Sequence, residues 1–210
     1  MTRPGEWRDD SHDIRDILDR LKRLELAQDG SHDVSLEARL PASPMNGRDF
    51  YYQLPTGGVW HFKFNANSGV WDFVGGPPLI DEVVTSEATS ATSFADLSTV
   101  GPAITVPFDG EYAFDGSAMV ETSSASNNSY LAALKVGSGT PTDDDAFAWL
   151  KNDNSLTSSR GVQGSRVIER PALADDVCKM QYRTTNGGAP VTARNRSLAV
   201  TPIWITAPSG

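Results

Sequence analysis

Between residues 11 and 28 four aliphatic residues, Ile14, Ile17, Leu21 and Leu24, fall three, four and three positions apart, the a/d seam of a two-heptad coiled coil. Arg15, Asp16, Asp19, Arg20, Lys22, Arg23 and Glu25 leave only that stripe apolar, apart from Leu18. So narrow a seam suits a coiled coil better than a helix lying on its own globular domain. Isoleucine at both an a and a d position favours three strands over two. A helix over 11–28 is only about 27 Å long at roughly 1.5 Å per residue and is barely stable alone. The expectation of a three-stranded coil therefore carries with it the expectation of a larger contact elsewhere in the chain.

After position 40 the pattern changes. Gly, Pro, Ser, Thr, Asn and Asp recur every few residues and no second helical period of useful length appears, so turns dominate and short strands are expected. The expected organisation is an arm over 1–10, the coil over 11–28, a linker over 29–48, an aromatic β-meander over 49–78, a connector over 79–98 and a terminal β-sandwich over 99–210. The fold class is mainly β: a short N-terminal trimeric coiled-coil helix, a small aromatic meander and a jelly-roll-like head.

The meander is read from Phe50, Tyr51, Tyr52, Trp60, Phe62, Phe64, Trp71 and Phe73, eight of the eighteen aromatic residues. Trp60, Phe62 and Phe64 alternate with Val59, His61 and Lys63, and Asn65 to Gly69 supplies turn chemistry. So small a module does not bury that many rings by itself. The rings pack around a trimer axis or under the head, or they form an exposed platform for carbohydrate. In the head, Tyr112, Phe114, Ala118 and Val120 oppose Glu111, Asp115, Ser117 and Glu121 on a half-buried strand. Further strands are expected at Tyr130 to Val136, Ala146 to Leu150, Gly161 to Ile168, Val177 to Thr184 and Ser197 to Thr206, with Pro202 implying a bulge or an unpaired edge in the last.

A net charge of -9 and dispersed basic residues exclude nucleic acid as an expected partner, since phosphate contacts need clustered Lys and Arg. No apolar run approaches the roughly eighteen residues needed to cross a bilayer, and the N-terminus lacks the apolar core of a secretion signal, so synthesis in a cytoplasm is expected. The lone Cys178 permits no disulfide within the chain and reads as a packing residue alternating with Met180 and Tyr182. His12, His32 and His61 sit apart, and no spacing for a catalytic dyad, a nucleophile elbow or a phosphate loop occurs. No enzyme, catalytic residue, cofactor or metal is expected. Asp143-Asp144-Asp145 reads as a solvated acidic turn rather than a Ca²⁺ site. Asn127-Asn128-Ser129 and Asn195-Arg196-Ser197 match the glycosylation pattern and are expected to be unmodified.

Two resemblances carry further expectations. Arg20-Leu21-Lys22-Arg23-Leu24-Glu25 resembles the short trimerisation motif Arg-apolar-x-x-apolar-Glu, which implies that Arg20 reaches Glu25 of a neighbouring chain and makes Ile14, Ile17, Arg20, Leu21, Leu24 and Glu25 the trimerisation residues. Tyr51-Tyr52, Trp60-His61-Phe62-Lys63-Phe64-Asn65, Trp71-Asp72-Phe73-Val74-Gly75-Gly76-Pro77-Pro78-Leu79 and Gly101-Pro102-Ala103-Ile104-Thr105-Val106-Pro107 resemble passages of small structural proteins of phages infecting actinobacteria. That resemblance implies a homotrimeric head fibre or capsid decoration protein at the virion surface, attached to capsid or tail proteins by an arm with Trp7 and Arg8. The alternative it leaves open is a short minor tail fibre recognising a host cell-surface glycan through loops carrying Asn127, Asn128, Trp149 and Asn152.

Overall fold

A computed structural model describes residues 39–41, 44–122, 128–152, 160–188 and 190–206. The arm and the coil, with Trp7, Arg8, Ile14, Ile17, Arg20, Leu21, Leu24 and Glu25, lie outside these residues. The expected fold class needs correction. Among the described residues there is no α-helix, only strands and one 3₁₀ turn at Asp143–Asp145, so the fold described is all-β and not a coiled-coil helix joined to β modules. The aromatic strands also do not form a separate meander. They are hydrogen-bonded into the same sheet as the head.

Among the described residues twelve strands make two sheets. The larger runs β1 (Asp49–Gln53), β2 (Val59–Asn65), β3 (Val70–Gly75), β12 (Val191–Thr206), β7 (Asp109–Thr122), β10 (Arg160–Ala172), with β4 (Leu79–Val83) and β5 (Glu87–Thr89) also paired to β12. The smaller runs β6 (Ala103–Thr105), β11 (Val177–Thr184), β8 (Asn128–Val136), β9 (Ala146–Asn152). All pairings are antiparallel.

The sixteen-residue β12 is the axis of the larger sheet. One edge pairs with β7 over almost its whole length. The other edge is covered in succession by three short strands: β5 opposite Val191 to Ala193, β4 opposite Arg196 to Val200, and β3 opposite Trp204 and Ile205. Segment 79–89, read from the sequence as connector, thus closes an edge that would otherwise leave a row of unpaired amides.

Alternation along β7 matches the sequence pattern. Tyr112, Phe114 and Ala118 are fully buried and Val120 nearly so, facing the smaller sheet, where Cys178, Met180 and Tyr182 are fully buried on the opposing face. Gly116 interrupts this row for a steric reason: a Cβ there would stand 2.4 Å from the Phe147 ring, so its absence lets β9 settle onto β7. At the β1–β3 end the aromatic rings are core, with Trp60 and Phe62 at 0%, Phe50 at 2% and Trp71 at 3% exposure. The Phe50 and Trp71 centroids lie 5.5 Å apart and those of Tyr52 and Phe108 lie 4.8 Å apart, distances at which tilted and edge-to-face rings attract. The Trp60 Nε1–H donates to the Pro77 carbonyl at 2.7 Å, so the one polar atom of that buried ring is satisfied.

Two extra residues break the alternation of β12. The register to β7 shifts between Pro202 and Trp204, and again between Arg194 and Ser197. The first bulge falls where Pro202 withholds an amide. It places Ile205, rather than Trp204, inward with Leu198 and Val200. The second bulge contains Asn195 at φ 48°, a left-handed conformation that asparagine tolerates better than branched residues, and it turns Arg196 into the interior.

Candidate functional site

The polar half of β12 begins with that bulge. Arg196 is fully buried, a rare fate for a guanidinium that requires partners. Its Nη1 donates to the carbonyls of Gly101 at 3.2 Å and Thr99 at 3.4 Å, and its Nη2 to Thr85 O at 3.4 Å and to Glu87 Oε2 at 3.5 Å. The guanidinium carbon lies 5.5 Å from the centroid of the Tyr182 ring, over its face, in cation–π range. These partners come from 85–101, so one side chain ties this stretch of chain to the sandwich.

The bonds are long, and two atoms of the cluster have none. Arg196 Nε and the hydroxyl of Tyr130, a ring stacked 6.2 Å from Tyr182, are buried without a hydrogen-bond partner. Burial holds the Tyr130 phenol well above its ordinary range, and the neighbouring Tyr182 adds to that. Hydrogen bonds from Thr99 hold Glu87 below its ordinary value; burial opposes them and Arg196 reinforces them. Burial pushes the Cys178 thiol up to about 12, with Asp176 adding to the shift, so this residue is protonated and packed.

On the outer face of the larger sheet the same bulge floors a depression of about 380 Å³ lined by Glu82, Val84, Ser117, Asn195, Arg196 and Ser197. Glu82 lies opposite Ser197 and Ser197 opposite Ser117, and the two serine Oγ atoms are 2.9 Å apart. A second cleft of about 410 Å³, between the β1–β2 turn, β4 and β6, has Leu54, Leu79 and Ile104 among its lining residues, with Tyr52, Asp81 and Asp175. Asp81 accepts the Ala103 amide at 2.7 Å, and burial followed by the charge of Asp175 raises the Tyr52 phenol.

Elsewhere, His61, Asp143 and Asp145 are engaged in structural contacts. His61 Nε2 is 2.8 Å from Asp49 Oδ1 and stacks on Tyr51 at 4.5 Å. Asp143 holds Arg183 at 2.5 Å, and Asp145 holds Arg170 at 2.8 Å together with the amide and hydroxyl of Thr142. Burial works to raise the Asp145 carboxyl, but these bonds outweigh it and leave it below its ordinary value. Among the described residues no three His, Cys, Asp or Glu side chains are grouped to hold a metal ion, and no helix is long and apolar enough to cross a membrane.

Of the expected ligand-loop residues, Asn127 lies outside the described residues. Asn128 and Asn152 are backbone partners at the end of the β8–β9 ladder, and Trp149 pairs with Leu131 three positions along it. The structure thus brings three of the four positions onto one short ladder. The sequence reading missed Arg196 and the serine row. The available signal was Asn195, a residue tolerant of left-handed backbone, inside an alternating strand.

No known protein family matches the chain, and no curated protein does. Solved structures similar to it include Eiger TNF from S. frugiperda, at 9% identity and a TM-score of 0.40, covering 64% of this chain and 96% of that one. A chain of infectious bursal disease virus Gt strain is similar at 14% identity and a TM-score of 0.33, covering 81% of this chain and 45% of its own. Dimeric latent PorU from Porphyromonas gingivalis gives 13% identity and 0.32, with 60% and 13% covered. This chain spans less than half of the latter two chains. At these TM-scores the likenesses transfer nothing to its function.

Proposed function

We propose that the chain is a non-catalytic structural protein of a phage virion, a homotrimeric head fibre or capsid decoration protein that presents a β-sandwich at the particle surface. The observation that carries this reading is the use made of the aromatic rings. Trp60, Phe62, Phe50 and Trp71 are at most 3% exposed, so they stabilise the scaffold and do not form a platform for ligand. The ion pairs support it as well, since Asp143, Asp145, Asp96 and Glu87 each hold an arginine or lysine, as expected of a rigid display element. The virion location rests on the resemblance of passages between Tyr51 and Pro107 to small phage structural proteins, and the three-chain assembly on the Ile14, Ile17, Leu21, Leu24 seam with the Arg20 to Glu25 motif as well as on that resemblance.

Mass spectrometry of gradient-purified particles tests the location. The chain is expected at a fixed ratio to the major capsid or tail protein, and its absence from particles overturns the reading. Sedimentation equilibrium tests the assembly, with an expected mass of about three times the 22.6 kDa chain; a folded monomer removes the trimer.

A further inference from the structure

We infer that the cleft between β4 and β6 receives an extended segment of a partner protein, one in which apolar residues alternate with lysine or arginine, as a strand added to β6. The inference goes beyond the structural role and does not depend on where the protein sits on a particle.

The cleft contains an open strand edge. The Val106 amide donates to the Asp176 carbonyl at 3.1 Å and the Met180 amide to the Pro102 carbonyl at 3.1 Å, with Ile104 opposite Cys178 between them. Backbone groups of a strand alternate between its two sides. Those of Pro102, Ile104 and Val106 therefore face β11, and those of Ala103 and Thr105 face away from it. The Ala103 amide shows where they point: it donates to Asp81 Oδ2 on β4 at 2.7 Å. Among the described residues β6 has no ladder partner besides β11, so the Thr105 N–H and C=O and the Ala103 C=O stand open beside the cleft. Such an edge takes up an added strand through main-chain hydrogen bonds. Pro102 and Pro107 bracket it, which limits the addition to a short segment and keeps the edge from templating an open-ended sheet.

The ground next to this edge is apolar. Leu54, Leu79 and Ile104 line the cleft and are buried beneath it, while Ile80, 56% exposed, also lines it. Side chains of an added strand point alternately to its two faces, so every second one falls toward these residues. A plain solvated groove needs neither an open backbone edge nor an aliphatic floor, and here the two adjoin.

Charge selects the segment. Asp81 and Asp175 are the only charged residues lining the cleft, and both are acidic. They stand at opposite ends of β6, Asp81 at the Ala103 amide and Asp175 next to Val106, whose carbonyl accepts the Asp175 amide at 2.9 Å. Asp81 is engaged by Ala103. The Asp175 carboxylate has no hydrogen-bond or ion-pair partner among the described residues, and its charge reaches the Tyr52 phenol, which also lines the cleft. A lysine or arginine on the added strand answers Asp175, whereas an acidic segment is repelled from both ends.

The test is NMR titration of the ¹⁵N-labelled full chain with acetyl-Val-Lys-Val-Lys-Val-amide. The Thr105 amide is expected to shift and to exchange more slowly with solvent. Single N-methylation along the peptide reads the backbone bonds: at one alternate set of positions it is expected to weaken binding about tenfold and at the other set hardly at all, since only every second amide faces β6. Asp175→Asn keeps a residue type that tolerates the left-handed backbone at φ 68° and is expected to weaken binding about threefold, the effect of an exposed ion pair. Asp144→Asn, at the exposed turn before β9, is expected to change nothing. No binding of the lysine peptide overturns the inference, as does equal binding of acetyl-Val-Glu-Val-Glu-Val-amide or binding unaltered by Asp175→Asn. Affinity insensitive to N-methylation at every position would show a pocket for cations and not a strand addition, and overturns it equally.

Discussion

The two halves of β12 solve opposite problems. From Leu198 to Ile205 the strand closes a dry core: Leu198, Val200 and Ile205 are fully buried, and the adjoining β1–β3 end is filled by rings, among them Trp60 with its Nε1–H bonded to the Pro77 carbonyl. From Val191 to Ser197 the same strand bends around a buried arginine whose hydrogen bonds run from 3.2 to 3.5 Å and whose Nε is unpartnered. Rigidity comes from the first half. The second holds a buried guanidinium between backbone carbonyls, Glu87 and the Tyr182 ring.

Substitutions in the two halves should therefore differ in size and kind. Trp60→Ala, in the dry end, removes a fully buried ring and the bond to Pro77, and should cost about 4 kcal/mol of unfolding free energy, read by denaturant titration. Arg196→Met keeps most of the volume but leaves the carbonyls of Thr85, Thr99 and Gly101 short of donors. A loss of about 2–3 kcal/mol is expected, with faster amide exchange through 85–101 while β1–β3 stays protected. Equal loss of protection at both ends would break the comparison.

Asn195 sharpens it. Asn195→Val forces a branched residue into left-handed backbone and should cost about 1–2 kcal/mol, whereas Asn195→Gly should change stability by only a few tenths, since glycine adopts this conformation freely. Similar melting temperatures for the two variants would mean that the bulge relaxes and Arg196 leaves the interior.

The smallest effect expected is in acid. Asp96 is held below its ordinary value of 3.8: burial raises it, but bonds from Lys179 at 2.6 Å and Gln181 at 3.0 Å outweigh that. Asp145 and Glu87 are likewise lowered. For such groups the stabilisation is fully present above the unfolded values and is lost as pH falls through the lower folded ones. Stability should be flat from pH 7 down to about 5 and should fall below about 4. Because these pairs are partly exposed, the loss should be modest and screened by salt. Asp96→Asn should flatten the acid limb.

Much of the core was legible in the sequence. The period of two along Tyr112 to Val120 and along Cys178 to Tyr182 follows from one buried and one open face, and Pro202 announced its bulge because it withholds an amide. The pairing of β4 and β5 with β12 was not legible, since it joins backbone to backbone and puts no period on residues 85–95. Arg196 was hidden for another reason. In strict alternation from Val191 and Ala193 it falls on the outward face, and a single extra residue at Asn195 turns it inward.

The most direct test of the account is immunogold electron microscopy of intact particles with antibody to residues 99–210. Label on the particle surface is the predicted result. Particles free of label, with the protein confined to the soluble fraction of infected cells, would contradict a role as a virion building element.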